Sequence, residues 1–261
     1  VERSRAIIAL KIETILTPAE LPALAKRDLR ATACVVFDIL RATSTFVTAL
    51  QNDAKEILPV SEISEAVALR QKRPDVLLAG ERDGVKIRAA QSGGIDFNFG
   101  NSPREFSPEK IRGKTIVSTT TNGTRALRAC VGAKTILASS FLNLAATAKF
   151  LRSKNFAEVL LVCAGTGEGV ALEDVLAAGA LVEILTAQQN IHATFSDSTE
   201  IARRTFLQAK SDLPMAFSSS QNARRLLAIP ELREDVAFCL QRDIFNLVAK
   251  MGADGALRKL N

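Results

Sequence analysis

Short apolar runs rich in β-branched residues alternate with amphipathic stretches along the first two thirds of the chain, and no other feature limits the fold as strongly. The runs are Lys11 to Leu16, Cys34 to Phe37, Glu56 to Val60, Val76 to Ala79, Thr115 to Ser118, Thr135 to Ala138 and Val159 to Cys163. Each reads as a buried strand bounded by turn formers. Between them lie helical patterns with start signals: Ser61 precedes Ile63, Ala66 and Val67, and Ser140 precedes Leu144, Ala145, Ala148 and Leu151. Ser102-Pro103-Arg104-Glu105 has the form of a capping box with proline in the first turn, and Ser107-Pro108 offers a second start that Gly113 stops. Repeated β-then-α order predicts an open sheet, parallel or mixed, with helices on both faces: a three-layer α/β/α fold. After Glu173 the pattern turns mostly helical. Asp197 to Glu200 resembles another capping box and Pro230 opens a last pattern through Leu240, so residues 173–261 are expected to supply outer-layer helices to the same domain. With 261 residues, no fixed-period repeat and no low-complexity linker, residues 1–261 read as a single α/β domain.

Composition narrows the partners. The longest stretch without a charge, Thr135 to Ala148, is too short to span a bilayer, and Val1 to Arg5 shows no apolar segment of a secretory signal, so no membrane association is expected. A net charge of +6 favours anionic ligands such as phosphate esters. The basic pairs Lys26-Arg27, Lys72-Arg73, Arg203-Arg204 and Arg224-Arg225 lie far apart, and the chain has no Trp or Tyr to stack on bases, so nucleic acid is not expected. Cys34, Cys130, Cys163 and Cys239 share no C-x-x-C spacing and fit buried free thiols in a reducing cytoplasm. His192 is the only histidine and lies in a polar stretch outside the loops that follow the strands, which excludes a Ser-His-Asp triad or a multi-histidine zinc site and suggests a surface position. Any metal should therefore be oxygen-ligated, with Mg²⁺ the natural choice for phosphate chemistry. A homo-oligomer is left open.

In open α/β sheets ligands gather where the carboxyl ends of strands meet helix starts, so the functional reading rests on the residues after each strand. Val35-Val36-Phe37 delivers Asp38, then Arg41, then the hydroxyls of Thr43, Ser44 and Thr45. A carboxylate at a strand tip suits a hard cation and a guanidinium suits a phosphoryl oxygen; the alternative is a loop cap with Arg41 as its surface partner. Glu81 follows the next strand, either as a second metal ligand or as a solvated residue beside a hairpin built on Asp83-Gly84. Asn101 sits in a glycine-rich approach to a helix start, where it either forms a turn or faces a ligand. Thr119, Thr120, Thr121, Asn122, Gly123 and Thr124 run from a strand into a helix and offer more hydroxyls than one N-cap requires, which favours an anion cradle. Walker spacing is absent. Gly165, Thr166 and Gly167 match a dinucleotide loop only loosely, and Glu173 and Asp174 open an apolar helix, where they either offset its dipole or complete a Mg²⁺ site with Asp38 and Glu81.

Taken in order, VVFDILRATST, LLAGE, FGNSP, TTTNGTRAL, SSFLN and LLVCAGTGEGVALED resemble the signature of the 2-phosphosulfolactate phosphatase family, often called ComB, over roughly Lys11 to Leu240. The resemblance implies an α/β fold of the family's own type. It also implies a Mg²⁺-dependent acid phosphatase that converts 2-phospho-3-sulfolactate to 3-sulfolactate and phosphate, a step in coenzyme M biosynthesis. Carried onto this chain, it makes Asp38, Glu81 and one of Glu173 or Asp174 the carboxylate site, with Arg41 and Thr119 to Thr124 around the substrate anions. Arg41, Asn122 and Asp174 join Asp38 and Glu81 as expected catalytic residues, and Gly165 and Thr166 join the binding set. Residues 1–10 look like an N-terminal extension, and Gly93-Gly94-Ile95 makes the approach to FGNSP loose. The expected nucleophile is a metal-activated water. Asp38 as a covalent nucleophile would want a second Asp two residues on, where Leu40 stands. A non-catalytic anion-binding protein and a nucleotide-dependent enzyme using the Gly165 to Gly169 turn stand as the alternatives.

Overall fold

All seven apolar runs form strands in the computed structural model, which describes residues 8–187 and 191–260. Most of the expected N-terminal extension lies outside the described residues. The strands are β1 (Ile8–Ile15), β2 (Thr32–Phe37), β3 (Glu56–Pro59), β4 (Leu77–Arg82), β5 (Val85–Lys86), β6 (Thr115–Thr119), β7 (Thr135–Ser139), β8 (Glu158–Cys163), β9 (Ile191–Phe195), β10 (Val248–Met251) and β11 (Leu257–Leu260). They make one mixed sheet in the order β5-β4-β6-β3-β11-β10-β7-β2-β8-β1-β9. One parallel half comprises β7, β2, β8, β1 and β9, and another comprises β4, β6 and β3. The antiparallel hairpin β10–β11 joins them, β10 pairing with β7 and β11 with β3.

Helices cover both faces, as the β-then-α order requires. On one face the helices Leu144–Ser153, Leu172–Thr186 and Asp197–Ala209 pack a core containing Phe37, Phe141, Leu176 and Phe206. On the other, the helices Ala42–Gln51 and Gly123–Ala129 pack Phe46, Val47 and Leu127 against Val36 and Val162. Each such fully buried aliphatic or aromatic side chain contributes about 1.5–3 kcal/mol by leaving water. Gly179 lets two helices touch, since a Cβ there would lie 2.1 Å from the Ala202 carbonyl oxygen.

The C-terminal segment departs from expectation. It holds the helices Asp197–Ala209, Leu213–Ser218, Gln221–Leu227 and Arg233–Cys239, but it also adds an edge strand, β9, and the central hairpin. Four-residue strands such as β10, with alternating partial burial, leave little periodic signal. The helix starts shift too. Ser196, rather than Asp197, caps its helix by accepting from Thr199 N, and Ser102 uses its hydroxyl elsewhere. His192 lies exposed on β9.

Candidate active site

The loops after β2, β4, β6 and β8 converge on a cavity of about 310 Å³. Asp38, Arg41, Glu81, Asn101, Thr121, Asn122, Gly165 and Thr166 line it from the expected set, and Gly167, Asn222 and Arg225 join them from outside that set. Segments far apart in sequence, and from both halves of the sheet, are thus brought together.

Asp38 follows directly on β2. Its Oδ1 accepts from Ala42 N at 3.0 Å, and Oδ2 abuts Gly123, where a Cβ would lie 2.6 Å away. That close approach requires glycine at the start of the helix. Burial, reinforced by the negative charges of Glu81 and Glu173, lifts the Asp38 pKa from the ordinary 3.8 to about 7, against the opposing pull of Ala42 N–H and Arg41.

Glu81 departs from the solvated position expected beside a hairpin. It lies in a hairpin, paired with Lys86, yet its side chain is buried and faces the cavity. Oε1 accepts from Thr121 N at 2.9 Å and Thr121 Oγ1 at 3.0 Å, and Oε2 accepts from Gly84 N at 2.7 Å. Glu81 therefore binds the turn of its own hairpin to the loop after β6.

Asp174 stands behind the cavity wall. Its Oδ1 accepts from Ile39 N at 2.8 Å and its Oδ2 from Gly165 N at 3.0 Å, so it ties the Asp38 loop to the Gly165 loop. Burial, then the neighbouring charges of Glu173 and Asp38, push its pKa well above the carboxylate range. Glu173, also raised by burial, accepts at Oε1 from Asn222 Nδ2 at 2.7 Å, while its buried Oε2 meets no donor. Asn122 donates through Nδ2 to Ala164 O (2.9 Å) and Gly167 O (3.1 Å), leaving its buried Oδ1 without a partner as well.

Arg41 is 3% exposed. Its Nη1 donates to Asp235 Oδ2 at 2.8 Å and its Nη2 to the Gly84 carbonyl at 2.7 Å. Asp235, fully buried, also accepts from Ser102 Oγ at 2.7 Å. The partner is thus a buried carboxylate from the C-terminal segment rather than Asp38.

Most of the hydroxyls turn away from the cavity. Thr43 exchanges hydrogen bonds with the Asp38 backbone, Ser44 donates to Ile39 O, Thr45 to Asn101 O, Thr119 to Ser61 O and Thr124 to Thr120 O. Thr120 Oγ1 accepts from Thr124 N. These side chains fix the loops, as buried hydroxyls next to free backbone groups do; of the two threonine-rich runs, only Thr121 reaches the cavity wall. The Gly165 to Gly169 turn closes on itself through paired Thr166 and Gly169 backbone bonds, and the helix after it begins with two buried carboxylates. Those carboxylates occupy the helix end that would otherwise favour an anion.

Among the described residues, no three His, Cys, Asp or Glu side chains are gathered to hold a metal by themselves. The uncommitted acceptors near the cavity are nevertheless all oxygens: Asp38 Oδ2, Asn122 Oδ1 and Glu173 Oε2. One or two carboxylates completed by water and substrate phosphate is the manner in which Mg²⁺ is bound, so this donor set fits that ion. Asn222, Arg225 and Asp235 escaped sequence reasoning; the Arg224-Arg225 pair was the single visible signal.

A family model described as 2-phosphosulpholactate phosphatase matches residues 16–253, a span that includes every residue discussed around the cavity. A probable 2-phosphosulfolactate phosphatase of Thermotoga maritima is 42% identical over 214 residues, covering 82% of this chain and 86% of that protein. One from Caldanaerobacter subterraneus is 39% identical over 229 residues, covering 86% and 90%. Another, from Carboxydothermus hydrogenoformans, is 35% identical over 240 residues, covering 92% of each. With likeness running through all the converging loops, this chain belongs to the 2-phosphosulpholactate phosphatase family and is a phosphatase acting on a small anion.

Proposed function

We propose that the protein hydrolyses 2-phospho-3-sulfolactate to 3-sulfolactate and inorganic phosphate with Mg²⁺ as cofactor, a step towards coenzyme M. One observation carries this reading: the buried Asp38 carboxylate shares its cavity with a guanidinium and with acceptor oxygens that no protein donor meets. An unsatisfied buried acceptor costs about 1–3 kcal/mol, which a bound cation relieves. Asp38 and Asn122 Oδ1 would hold the ion, with Glu173 supplying further carboxylate oxygen and Glu81 and Asp174 positioning the loops. When bound, Mg²⁺ supplies charge neutralisation for the phosphoryl oxygens.

The chain's own side chains do the rest. Two of the five N–H donors of Arg41 are committed to Asp235 and Gly84, leaving three for the phosphoryl group, and the buried ion pair holds them in place before substrate arrives. Asn122, pinned by two backbone carbonyls, keeps its amide oxygen aimed rather than rotating. A water attacks in line: its oxygen–phosphorus bond forms as the ester P–O bond breaks, and the proton it loses balances the one taken up by the departing sulfolactate oxygen.

Phosphate release from a panel of phosphorylated hydroxy acids, with and without EDTA, tests the reading. The highest kcat/KM is expected for 2-phospho-3-sulfolactate, abolished by EDTA and restored by Mg²⁺. No release from any member, or release indifferent to EDTA, overturns it. Borohydride reduction during turnover that labels Asp38 would replace the water with an aspartyl phosphate.

A further inference from the structure

Two guanidiniums line the cavity in unlike states. Arg41 is buried and neutralised by Asp235 at 2.8 Å. Arg225, from the helix Gln221–Leu227, is exposed at the cavity wall, and among the described residues it makes no hydrogen bond or ion pair. The two approach the same glycine. Arg41 Nη2 donates to the Gly84 carbonyl, while a Cβ on Gly84 would lie 2.8 Å from Arg225 Nη2. Gly84 also turns the β4–β5 hairpin at φ +78°, a conformation that favours glycine. The helix carrying Arg225 is moored: one turn earlier, Asn222 Nδ2 donates to Thr166 Oγ1 and Glu173 Oε1, each at 2.7 Å. A fixed root with a free cationic head, one residue's width from the phosphate-facing arginine, is the arrangement of a reader for a second charge.

We propose that Arg225 determines specificity by pairing with one of the two acidic groups that the substrate carries besides its phosphate, the sulfonate or the carboxylate on the carbon skeleton. This rests on the phosphatase reading above. A substrate with phosphate alone would leave Arg225 in water. A doubly acidic one spans from the Arg41 side of Gly84 to the Arg225 side, and a cavity of about 310 Å³ accommodates such a small acid. Guanidinium is suited to this because its planar fork meets two oxygens of one oxyanion at once, which an ammonium does not.

The test compares Arg225→Gln and Arg225→Lys with the wild type on 2-phospho-3-sulfolactate, 2-phospholactate and isopropyl phosphate. The expected result is that Arg225→Gln lowers the preference for 2-phospho-3-sulfolactate over isopropyl phosphate about 10- to 100-fold, the range of one charge-assisted hydrogen bond, chiefly through KM. Arg225→Lys should restore part of it. An accompanying loss on 2-phospholactate assigns the carboxylate as partner; no such loss assigns the sulfonate. An unchanged preference overturns the proposal. Binding of 3-sulfolactate by calorimetry, expected to weaken about 10- to 100-fold in Arg225→Gln, reads the same contact without turnover. If the wild type hydrolyses none of the three esters, the phosphatase reading fails, and the product-binding difference alone decides for or against Arg225.

Discussion

In an Asp235→Ala variant, Arg41 would keep its burial and lose its counter-ion. The side chains are 3% and 0% exposed and meet at 2.8 Å, so solvent screens the pair very little. Removing one partner of such a pair costs about 3–5 kcal/mol, because the remaining charge stays buried. The Ser102 hydroxyl, 2.7 Å from Asp235 Oδ1, loses its acceptor and adds about 1 kcal/mol. Water entering the vacated space returns part of this, although Arg104, 3.7 Å from the same carboxylate, loses this partner too. A net loss of about 3–4 kcal/mol follows, and Asp235→Asn, which keeps shape and one acceptor, should lose roughly half as much. Urea unfolding measures it as a lowered midpoint with unchanged slope. A cycle with Arg41→Met then isolates the pair, with an expected coupling of about 2–3 kcal/mol. A loss below about 1 kcal/mol, or additivity within about 0.5 kcal/mol, would refute the claim that this ion pair holds Arg41 in place.

Gly123→Ala sets a methyl 2.6 Å from both Asp38 Oδ2 and the Ala42 Cβ, so phosphatase activity should fall about 100-fold or more while circular dichroism stays native; undiminished turnover contradicts the assigned position of Asp38. Burial raises the pKa of Asp38 to about 7 and those of Glu173 and Asp174 above their ordinary values, so the metal-free native state binds more protons than the unfolded chain between the unfolded and folded pKa values, for Asp38 between about pH 4 and pH 7. Their contribution is complete at low pH and is lost as pH rises through the folded pKa values: in EDTA the melting temperature should fall from pH 5 to pH 8, less steeply in Asp38→Asn, and a steady rise over that range would sink the assignment. Gly179→Ala forces a methyl within 2.1 Å of the Ala202 carbonyl and should cost about 1–3 kcal/mol as the two helices separate, visible as a lowered melting temperature.

Strands β2, β7 and β8 were legible because a strand buried on both faces reads as an uninterrupted apolar run; β2 is buried at every residue. Asp38, Arg41, Glu81 and Asn122 were legible for a related reason, since each stands at or just beyond the carboxyl end of such a run. The hydroxyls were less so. Thr119 or Thr124 facing a ligand and the same residue bonded to a backbone carbonyl leave identical sequences, and only the backbone path decides between them. Glu81 belongs to a hairpin without being solvated, because a hairpin residue can turn its side chain inward at every second position.

The route of the C-terminal chain accounts for the half of the site that stayed hidden. From the edge strand β9 it must reach the sheet centre at β10, and so it crosses β1, β8, β2 and β7. Asn222 bonded to Thr166 and Asp235 bonded to Arg41 show that it crosses at the carboxyl ends, directly over the loops after β8 and β2. Had the segment only packed helices on an outer face, Arg41 would be buried without an anion and Arg225 would face bulk water. The central hairpin makes the crossing obligatory, and the crossing delivers Asn222, Arg225 and Asp235. None of the three adjoins a strand end in sequence, so a reading anchored on strand ends finds one wall of the cavity and misses the other.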